Sequence, residues 1–338
     1  MRIFRTNPLS RVCLLLVVVL AGAACGSGVG DDEESAADEN SEQSDDQSSQ
    51  EGEEELSGDI RADGSSTVFP LTAAAAELFQ EDHPKVRVTV GSSGTGGGFE
   101  KFCAGETDIS NASRPIKDEE VAACEAKGVE FEELQVANDG LSVVVNPAND
   151  WVDCLTVEQL NKIWDDRSTV RTWKDVDPSF PAEPLKLFGP GTDSGTFDYF
   201  TDVINGEEGK SRADYTTSED DNVIVQGVAG TKGGMGYFGL SYLEENSDKL
   251  KGLEIDGGAG CVAPTTETVQ NGEYTPLGRP LFIYVTRDLI ERPEGEAFMS
   301  FYVGNTAEIT EAALFVDLND DQKERVESKL ETLVSGVE

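Results

Sequence analysis

Short apolar runs alternate with amphipathic segments along most of the chain, and this pattern predicts strands followed by helices. Runs rich in β-branched residues predict strands, whereas apolar residues at helical spacing predict helices. The predicted strands are 60–62, 86–90, 141–145, 185–188 and 282–285, and the predicted helices are 71–80, 99–103, 157–164, 196–204, 311–315 and 320–333. This order is typical of an α/β fold with largely parallel sheets.

The first 24 residues have the pattern of an export signal. Three arginines precede an apolar stretch at 12–21 that is too short to span a bilayer, and small residues follow it. Cys25 comes directly after them, as in the lipobox of bacterial lipoproteins, although Gly22 stands where that motif usually has Leu. We therefore expect a signal peptide at 1–24 and a lipid anchor on Cys25, with a plain signal peptide as the alternative.

Residues 25–59 differ sharply in composition from the rest of the chain. They are mostly Glu, Asp, Ser, Gln and Gly, and such a segment cannot bury enough apolar surface to offset the entropy of ordering it. We expect a disordered acidic tether there. From residue 60 to 338 the apolar pattern is that of a globular protein, and no second stretch is long enough to cross a membrane.

The chain is strongly acidic. It has 66 Asp and Glu residues against 26 Lys and Arg, for a formal net charge of -40. Nucleic acids and anionic lipid surfaces are therefore unsuitable partners. A small anion is still compatible with this charge, because distant surface charges are screened within about 10 Å whereas a buried site acts through local dipoles and hydrogen bonds.

Three predicted strand-to-helix junctions share one chemistry. The segments 64–70, 91–98 and 189–196 are rich in Ser, Thr and Gly at the point where a helix begins. The first four N–H groups of a helix have no partner within it, and the helix dipole places partial positive charge there. One such junction alone is ordinary helix capping. Three at the carboxyl edge of one sheet favour a site for phosphate, sulfate or carboxylate.

Two charged residues add to this chemistry. Arg114 offers a planar set of donors that suits a tetrahedral oxyanion, and Ser113 beside it offers a hydroxyl. Asp139, just before the predicted strand at 141–145, is a candidate to orient Arg114 or to accept a proton from the ligand. Taken singly, Arg114 would be a surface ion-pair partner and Asp139 a turn residue.

Several segments together resemble the PstS-type phosphate-binding proteins of ABC transporters. They are DGSSTVFP at 63–70, VGSSGTG at 90–96, DISNASRP at 108–115, GPGTDSGTF at 189–197, DDNVIVQGV at 220–228 and GMGYF at 234–238. The resemblance implies a type II periplasmic-binding-protein fold, with two α/β lobes joined by a hinge of two crossover strands. Lobe one would comprise 60–138 and 263–338, and lobe two 139–262.

The resemblance also implies a function and a location. The lobes would close on a dehydrated phosphate and deliver it to the permease subunits of an ABC transporter. The protein would act as a monomer, anchored by its lipid on the outer face of the cytoplasmic membrane. It would be a binding protein without a cofactor and not an enzyme. A Ser-dependent hydrolase fits poorly, because it needs a base and the single histidine, His83, precedes a proline.

The ligand-binding residues follow from matching these motifs. They are Ser66, Thr67, Val68, Ser92, Ser93, Ser113, Arg114, Ser194, Gly195 and Thr196. In the best-known members of the family, an Asp at the position of Ser113 accepts the proton of hydrogen phosphate and so rejects sulfate. Those members also have an Arg shortly before the Ser-Gly-Thr turn, and this chain does not.

These departures make Arg114 the substitute for the missing Arg. Asp139 becomes the first candidate for the carboxylate that accepts the proton, with Asp193 second. Selectivity stays open, so the alternatives are another tetrahedral oxyanion, such as sulfate or molybdate, or a phosphate-sensing lipoprotein.

Four cysteines remain in the globular part. An even number in an exported chain predicts two disulfides, and three pairings are possible. We favour Cys103–Cys124 and Cys154–Cys261, because each bond would then stay within one lobe. A zinc site is not expected, since the chain has a single histidine and no CxxC motif.

Overall fold

The fold is described for residues 55–336 of a computed structural model. The predicted signal peptide, Cys25 and most of the predicted tether therefore lie outside the described residues. The end of the tether is corrected, because the first strand already begins at Gly58. Asp59 belongs to this strand, and its side chain accepts a hydrogen bond from Arg87 of the neighbouring strand at 2.7 Å.

The first part of the chain builds lobe one by strand-helix alternation. Its elements are β1 (Gly58–Gly64), α1 (Phe69–Asp82), β2 (Val86–Val90), α2 (Gly94–Cys103), β3 (Ile109–Ala112), α3 (Asp118–Lys127) and β4 (Phe131–Val145). Strand β1 pairs in parallel with both β2 and β3. Strand β4 is 15 residues long, and it carries the chain from lobe one into lobe two.

The middle of the chain builds lobe two. Its elements are β5 (Cys154–Thr156), α4 (Val157–Trp164), α5 (Trp173–Val176), β6 (Lys186–Gly189), α6 (Gly195–Asn205), β7 (Thr216–Thr217), α7 (Asp221–Gly230), β8 (Gly234–Gly239), α8 (Leu240–Glu245), β9 (Lys251–Gly252), β10 (Glu254–Asp256), β11 (Cys261–Val262) and α9 (Thr266–Gln270). Strand β6 pairs in parallel with β7 and β8.

The chain then returns to lobe one. Its last elements are β12 (Gly278–Thr286), α10 (Arg287–Ile290), α11 (Pro293–Gly304), α12 (Thr306–Ala313) and α13 (Asp320–Ser335). Within the described part of the chain, no helix is both long and apolar enough to cross a bilayer.

One sheet runs through both lobes, in the order β2-β1-β3-β12-β4-β8-β6-β7, with β9 also paired to β4. The two central strands, β4 and β12, are antiparallel to each other and form the connection between the lobes. A separate sheet of three short strands, β11-β10-β5, belongs to lobe two. The predicted α/β fold with two crossover strands is confirmed, and its sheet is mixed where the crossovers enter it.

The second crossing of the chain lies later than predicted. Residues 263–277 were expected in lobe one, but Val269, Tyr274 and Leu277 belong to the apolar core of lobe two. The chain crosses at Gly278, which pairs with Gly140 on β4. Gly140 is required there, because a Cβ atom would lie 2.8 Å from a methyl group of Val269.

The predicted helix at 311–315 is also corrected. Helix α12 ends at Ala313, and Leu314 adopts a left-handed conformation with φ of 60°. This residue turns the chain, so that Val316 can form a bridge with Asn138 on β4. The local sequence shows no Gly or Asn that would have signalled this end.

The two disulfides join Cys103 to Cys124 and Cys154 to Cys261, which confirms the favoured pairing. The first bond fastens α2 to α3 within lobe one, and the second links β5 to β11 within lobe two. The paired cysteines are 21 and 107 residues apart in the chain.

We predict that the two disulfides differ in their contribution to stability. Loop-closure entropy gives about 3 kcal/mol for the shorter loop and about 5 kcal/mol for the longer one. Replacing Cys154 and Cys261 with Ala should therefore lower the free energy of unfolding more than replacing Cys103 and Cys124. Urea unfolding of the two double variants measures both losses. Equal losses, or the reverse order, would contradict this prediction.

Candidate anion-binding site

Three helices direct their N-termini at one cleft between the lobes. Helices α1 and α2 come from lobe one, and α6 comes from lobe two. A cavity of about 540 Å³ lies among them. It is lined by Ser65, Ser66, Thr67, Gly94, Thr95, Gly96, Ser113, Arg114, Pro115, Gly195, Asp198, Tyr199, Asp202, Val203, Glu208, Arg279 and Pro280. The convergence predicted from three separate junctions is therefore present in the fold.

The N-terminus of α1 is organised by Ser65, which is not among the predicted ligand-binding residues. Its buried Oγ accepts hydrogen bonds from the backbone N–H groups of Thr67, at 3.2 Å, and Val68, at 3.4 Å. Ser66 and Thr67, two of the predicted ligand-binding residues, line the cleft. The first turn of α1 contains no acidic residue, so the partial positive charge of this helix end is not neutralised locally.

The N-terminus of α2 presents a different hydroxyl from those predicted. Asp63 accepts hydrogen bonds from the Ser93 N–H at 3.1 Å and the Ser93 Oγ at 2.6 Å. Burial raises the pKa of Asp63, but hydrogen bonds from Lys101 and Ser93 outweigh this effect and lower the pKa. The carboxylate that holds Ser93 is therefore ionised. Ser92 and Ser93 do not line the cavity. Thr95 does, and its Oγ1 lies 3.1 Å from the Oγ of Ser113.

The N-terminus of α6 completes the cleft from lobe two. The Oγ of Ser194 caps the helix by accepting a hydrogen bond from the Thr196 N–H at 3.2 Å. Gly195 lies directly against lobe one, because a Cβ atom at this position would be only 2.9 Å from the Oγ1 of Thr67. Glycine therefore permits the two helix ends to approach each other across the cleft.

Arg114 lines the cavity, but its guanidinium is already paired. It forms two hydrogen bonds to the carboxylate of Glu120, at 2.8 and 2.7 Å, and it lies over the ring of Phe99. About a third of its side chain is exposed. Arg114 therefore reaches the edge of the cleft with its guanidinium held by Glu120 of α3 and its planar face over Phe99 of α2.

Arg279, which is not among the predicted ligand-binding residues, occupies the centre of the site. Its Nε donates to the Oδ2 of Asp139 at 3.2 Å, and its Nη2 forms an ion pair with the same oxygen at 3.1 Å. Its Nη2 also lies 3.2 Å from the Oγ1 of Thr67, and its Nη1 donates to the carbonyl of Ser113 at 3.4 Å. Asp139 thus orients Arg279, and not Arg114 as expected. The one feature of the sequence that could have indicated Arg279 is its position just before the predicted strand at 282–285.

Tyr199 holds the other side of this guanidinium. The ring of Tyr199 lies 3.5 Å from the Arg279 Cζ, and its hydroxyl donates to the carbonyl of Pro276 at 2.6 Å. Burial raises the pKa of Tyr199, so the hydroxyl stays protonated and keeps this bond. Because Tyr199 belongs to α6, the stack connects lobe two to the hinge.

Asp139 is the buried carboxylate of the site. Only 6% of its side chain is exposed, and burial raises its pKa while the charge of Arg279 opposes the rise. The hydrogen bond from Nε and the ion pair with Nη2 of Arg279 are both made by Oδ2, and Oδ1 has no protein donor among residues 55–336. Asp139 does not line the larger cavity; it lines a second, smaller one of about 240 Å³, on whose wall Thr67, Gly195 and Thr196 lie as well.

These groups together suit a small tetrahedral anion that carries a proton. Helix N-termini, hydroxyls and a guanidinium are donors for anionic oxygens. The Oδ1 of Asp139 is an acceptor for a ligand hydroxyl. Asp193, the second candidate for that role, is exposed and lines neither cavity.

Comparison with known proteins identifies a family for this chain and several relatives within it. The model of the PBP superfamily domain matches residues 49–306. Protein SphX from Synechococcus elongatus is 49% identical over 262 residues, which is 77% of each chain. The phosphate-binding protein PstS from Staphylococcus saprophyticus is 41% identical over 279 residues, covering 82% of this chain and 86% of its own.

Solved structures resemble the fold as well. A possible phosphate binding protein from Planctomyces limnophilus is 49% identical, with a TM-score of 0.79, and the match covers 82% of this chain and 99% of the other. An ABC-type phosphate transport receptor from Vibrio cholerae has a TM-score of 0.61 at 20% identity over 77% of this chain and 99% of its own, so it supports the fold alone.

Proposed function

Because the chain belongs to the PBP superfamily and, within it, to the PstS-type phosphate-binding proteins, we propose that it captures inorganic phosphate between its lobes for import by an ABC transporter. The observation that carries the proposal is the buried Asp139–Arg279 pair, in the cleft where three helix N-termini meet. It supplies both a donor for anionic oxygens and an acceptor for a proton. The partner would be the membrane permease of that transporter.

Capture requires closure of the lobes around the anion. Thr67 and Arg279 lie on one side of the cleft and Gly195 on the other, so a phosphate among them would be held by both lobes. Each hydrogen bond to a charged group contributes about 1.5–3 kcal/mol, and several such bonds must offset desolvation of the anion and the closure itself. We therefore expect micromolar or tighter affinity, which corresponds to about 8 kcal/mol or more.

Selectivity would rest on the Oδ1 of Asp139. An ionised carboxylate can accept the proton of hydrogen phosphate, but it repels sulfate, which carries no proton at neutral pH. Arg279 keeps Asp139 in place by binding Oδ2, so the other oxygen stays available. Ser113, which stands where other family members have an Asp, would contribute its hydroxyl as a donor.

The experiment that tests this function is isothermal titration calorimetry of the purified protein with phosphate, with sulfate as competitor. We expect the wild-type protein to bind phosphate in the presence of about hundredfold excess sulfate. In Asp139→Asn, sulfate should compete within about tenfold of phosphate, because the repelling charge is gone. Competition by sulfate should also increase as the pH falls, since the raised pKa of Asp139 lets it take up a proton earlier than an ordinary carboxyl.

Two outcomes would contradict this mechanism. If the wild-type protein binds neither anion, the proposed function is wrong. If it binds phosphate selectively and Asp139→Asn does so equally well, another group accepts the proton.

We predict that Arg279 contributes more to affinity than Arg114. Arg279→Ala removes a central donor and leaves Asp139 unpaired beside the anion, so phosphate affinity should fall at least about hundredfold. Arg114 is already paired with Glu120, and Arg114→Ala should cost about tenfold. Titration calorimetry measures both values.

Folding and charge are controlled separately in that comparison. Circular dichroism checks that each variant is folded, and Arg279→Lys keeps the charge while losing the planar fork. The matched control is Arg167→Ala, which removes an arginine that is 80% exposed and far from the cleft residues in sequence. Equal affinities of Arg279→Ala and the wild type would exclude the central role of Arg279.

We propose that the protein acts outside the cytoplasm, which its membership of the family supports, and that Cys25 anchors it there through a lipid. The sequence around Cys25 and the acidic stretch after it support this. Cys25→Ser should move the protein from the membrane fraction to the soluble fraction of fractionated cells, as detected by immunoblotting. Protein that stays with the membrane would rule out this anchor.

A further inference from the structure

A separate cavity of about 530 Å³ lies in lobe two, outside the anion-binding cleft. It shares no lining residue with either cavity of the cleft, so phosphate bound there would leave it open. We call this cavity the lobe-two pocket. It is defined by the charged and aromatic side chains on its wall, which are Arg171, Lys186, Phe188, Arg212, Asp214 and Tyr215.

The pocket lies at an edge that the sheet topology leaves open. Strand β6 runs between β8 and β7, and its first three residues pair with β8. The edge strand β7 has only two residues, and these pair with Phe188 and Gly189 at the end of β6. Within the described residues, no strand therefore covers Lys186 and Leu187 on that side, and both of them line the pocket.

The wall of the pocket is positively charged in a protein whose net charge is -40. Three cationic side chains line it, from Arg171, Lys186 and Arg212, and only one carboxylate does, from Asp214. This carboxylate is shared, because it pairs with Arg212 at 2.6 Å and with Arg171 at 3.2 Å. The wall therefore carries a surplus of two positive charges.

Arg212 makes part of this charge a fixed feature of the wall. Its side chain is only 5% exposed, and its guanidinium donates to the carbonyls of Ile163 and Val170 and to both oxygens of Asp214. Burial of a cation is costly, and Asp214 compensates it while lying 55% exposed itself. An anion in the pocket would stabilise this buried charge further without any rearrangement of the wall.

Arg171 and Lys186 have donors left for a ligand. The side-chain hydrogen bond of Arg171 uses Nη1, and within residues 55–336 its Nε and Nη2 donate to no acceptor. Lys186 is exposed and has no ion pair in the same part of the chain. The carboxylate nearest to it in sequence, Glu183, is occupied by Lys232 at 2.9 Å. Both side chains can therefore bind an anionic group directly.

The remaining wall of the pocket is largely apolar. Leu185 and Leu187 are buried, and Phe188 and Tyr215 are half-buried. The hydroxyl of Tyr215 is already used, since it donates to the carbonyl of Pro190 at 2.8 Å. Tyr215 thus adds aromatic surface to the pocket. Apolar walls with a few convergent polar groups are typical of sites for small organic molecules.

We propose that the lobe-two pocket is a second binding site, which takes a small organic acid whose anionic group is attached to an apolar body. The anionic group would contact Lys186 and Arg171 beside the fixed charge of Arg212. The apolar body would lie against the leucines and the aromatic rings. This inference is independent of the proposed function, because none of its residues belongs to the cleft.

The test is a fluorescence titration of the purified protein with anilinonaphthalene sulfonate, an organic anion whose emission rises in apolar surroundings. We expect one dye molecule per chain, with a Kd of about 10–100 µM. Lys186→Glu and Arg171→Glu should each raise this Kd at least about tenfold, because each replaces an attractive charge with a repulsive one. Lys186→Arg keeps the charge and should retain the affinity.

The matched control is Lys249→Glu, which makes the same change of charge at a different cavity of lobe two. Its Kd for the dye should stay within about twofold of the wild type, and circular dichroism checks that every variant is folded. If Lys249→Glu weakens binding and Lys186→Glu does not, the dye occupies the other cavity and the proposal is wrong.

The titration is repeated with phosphate at a concentration that saturates the cleft. The Kd for the dye should not change, since the lobe-two pocket is separate. Release of the dye by phosphate would place it in the cleft and overturn the proposal. A protein that binds no phosphate fails at the proposed function, and the Lys186 and Arg171 variants still decide whether the lobe-two pocket binds the dye.

Displacement of the dye tests the class of ligand. Phenylbutyrate should displace it, whereas phenylbutanol, which has the same body without the charge, and acetate, which has the charge without the body, should not at the same concentration. If phenylbutanol displaces the dye equally well, the pocket does not recognise an anion. If acetate does so, it does not recognise an apolar body. Either result contradicts the proposed ligand.

Discussion

The buried ion pair between Asp139 and Arg279 is the interaction on which the site and the hinge both depend. An unpaired carboxylate with 6% of its side chain exposed would be too costly to keep ionised, and Arg279 compensates it. The two residues are directly opposite each other on β4 and β12. The pair therefore fixes the relative position of the crossover strands, while Thr67 and Tyr199 connect the same guanidinium to lobe one and lobe two.

The sequence was most informative where the chemistry is local. A strand followed by Gly, Ser and Thr predicts a helix N-terminus from residues that are neighbours in the chain, and all three predicted junctions reach the cleft. Arg279 is different, because its partner is 140 residues away and their pairing depends on the register of two antiparallel strands. A single sequence without that register cannot indicate that an arginine before a short apolar strand is central to the site.

The same distinction explains the smaller differences. Ser93 was expected in the cleft, but Asp63 on β1 holds it, and Thr95, two residues later, reaches the cavity. A shift of this size is decided by tertiary hydrogen bonds. The observed lobe boundary differs from the predicted one for a similar reason. Helix α9 packs on lobe two through Val269, although it directly precedes β12 in the chain. The composition of this segment does not indicate whether it packs on lobe one or on lobe two.

The continuity of β4 through both lobes has an evolutionary consequence. Successive side chains of a strand point to opposite faces, so inserting or deleting one residue between the lobes would turn Asp139 away from Arg279. The pairing of β4 with β12 already skips one residue of β4 beside Leu281 and Phe282. The position of Asp139 opposite Arg279 therefore depends on keeping this irregularity as well. Related chains should therefore vary in length in their surface loops, while the number of residues in the crossover stays constant even where the residues themselves change.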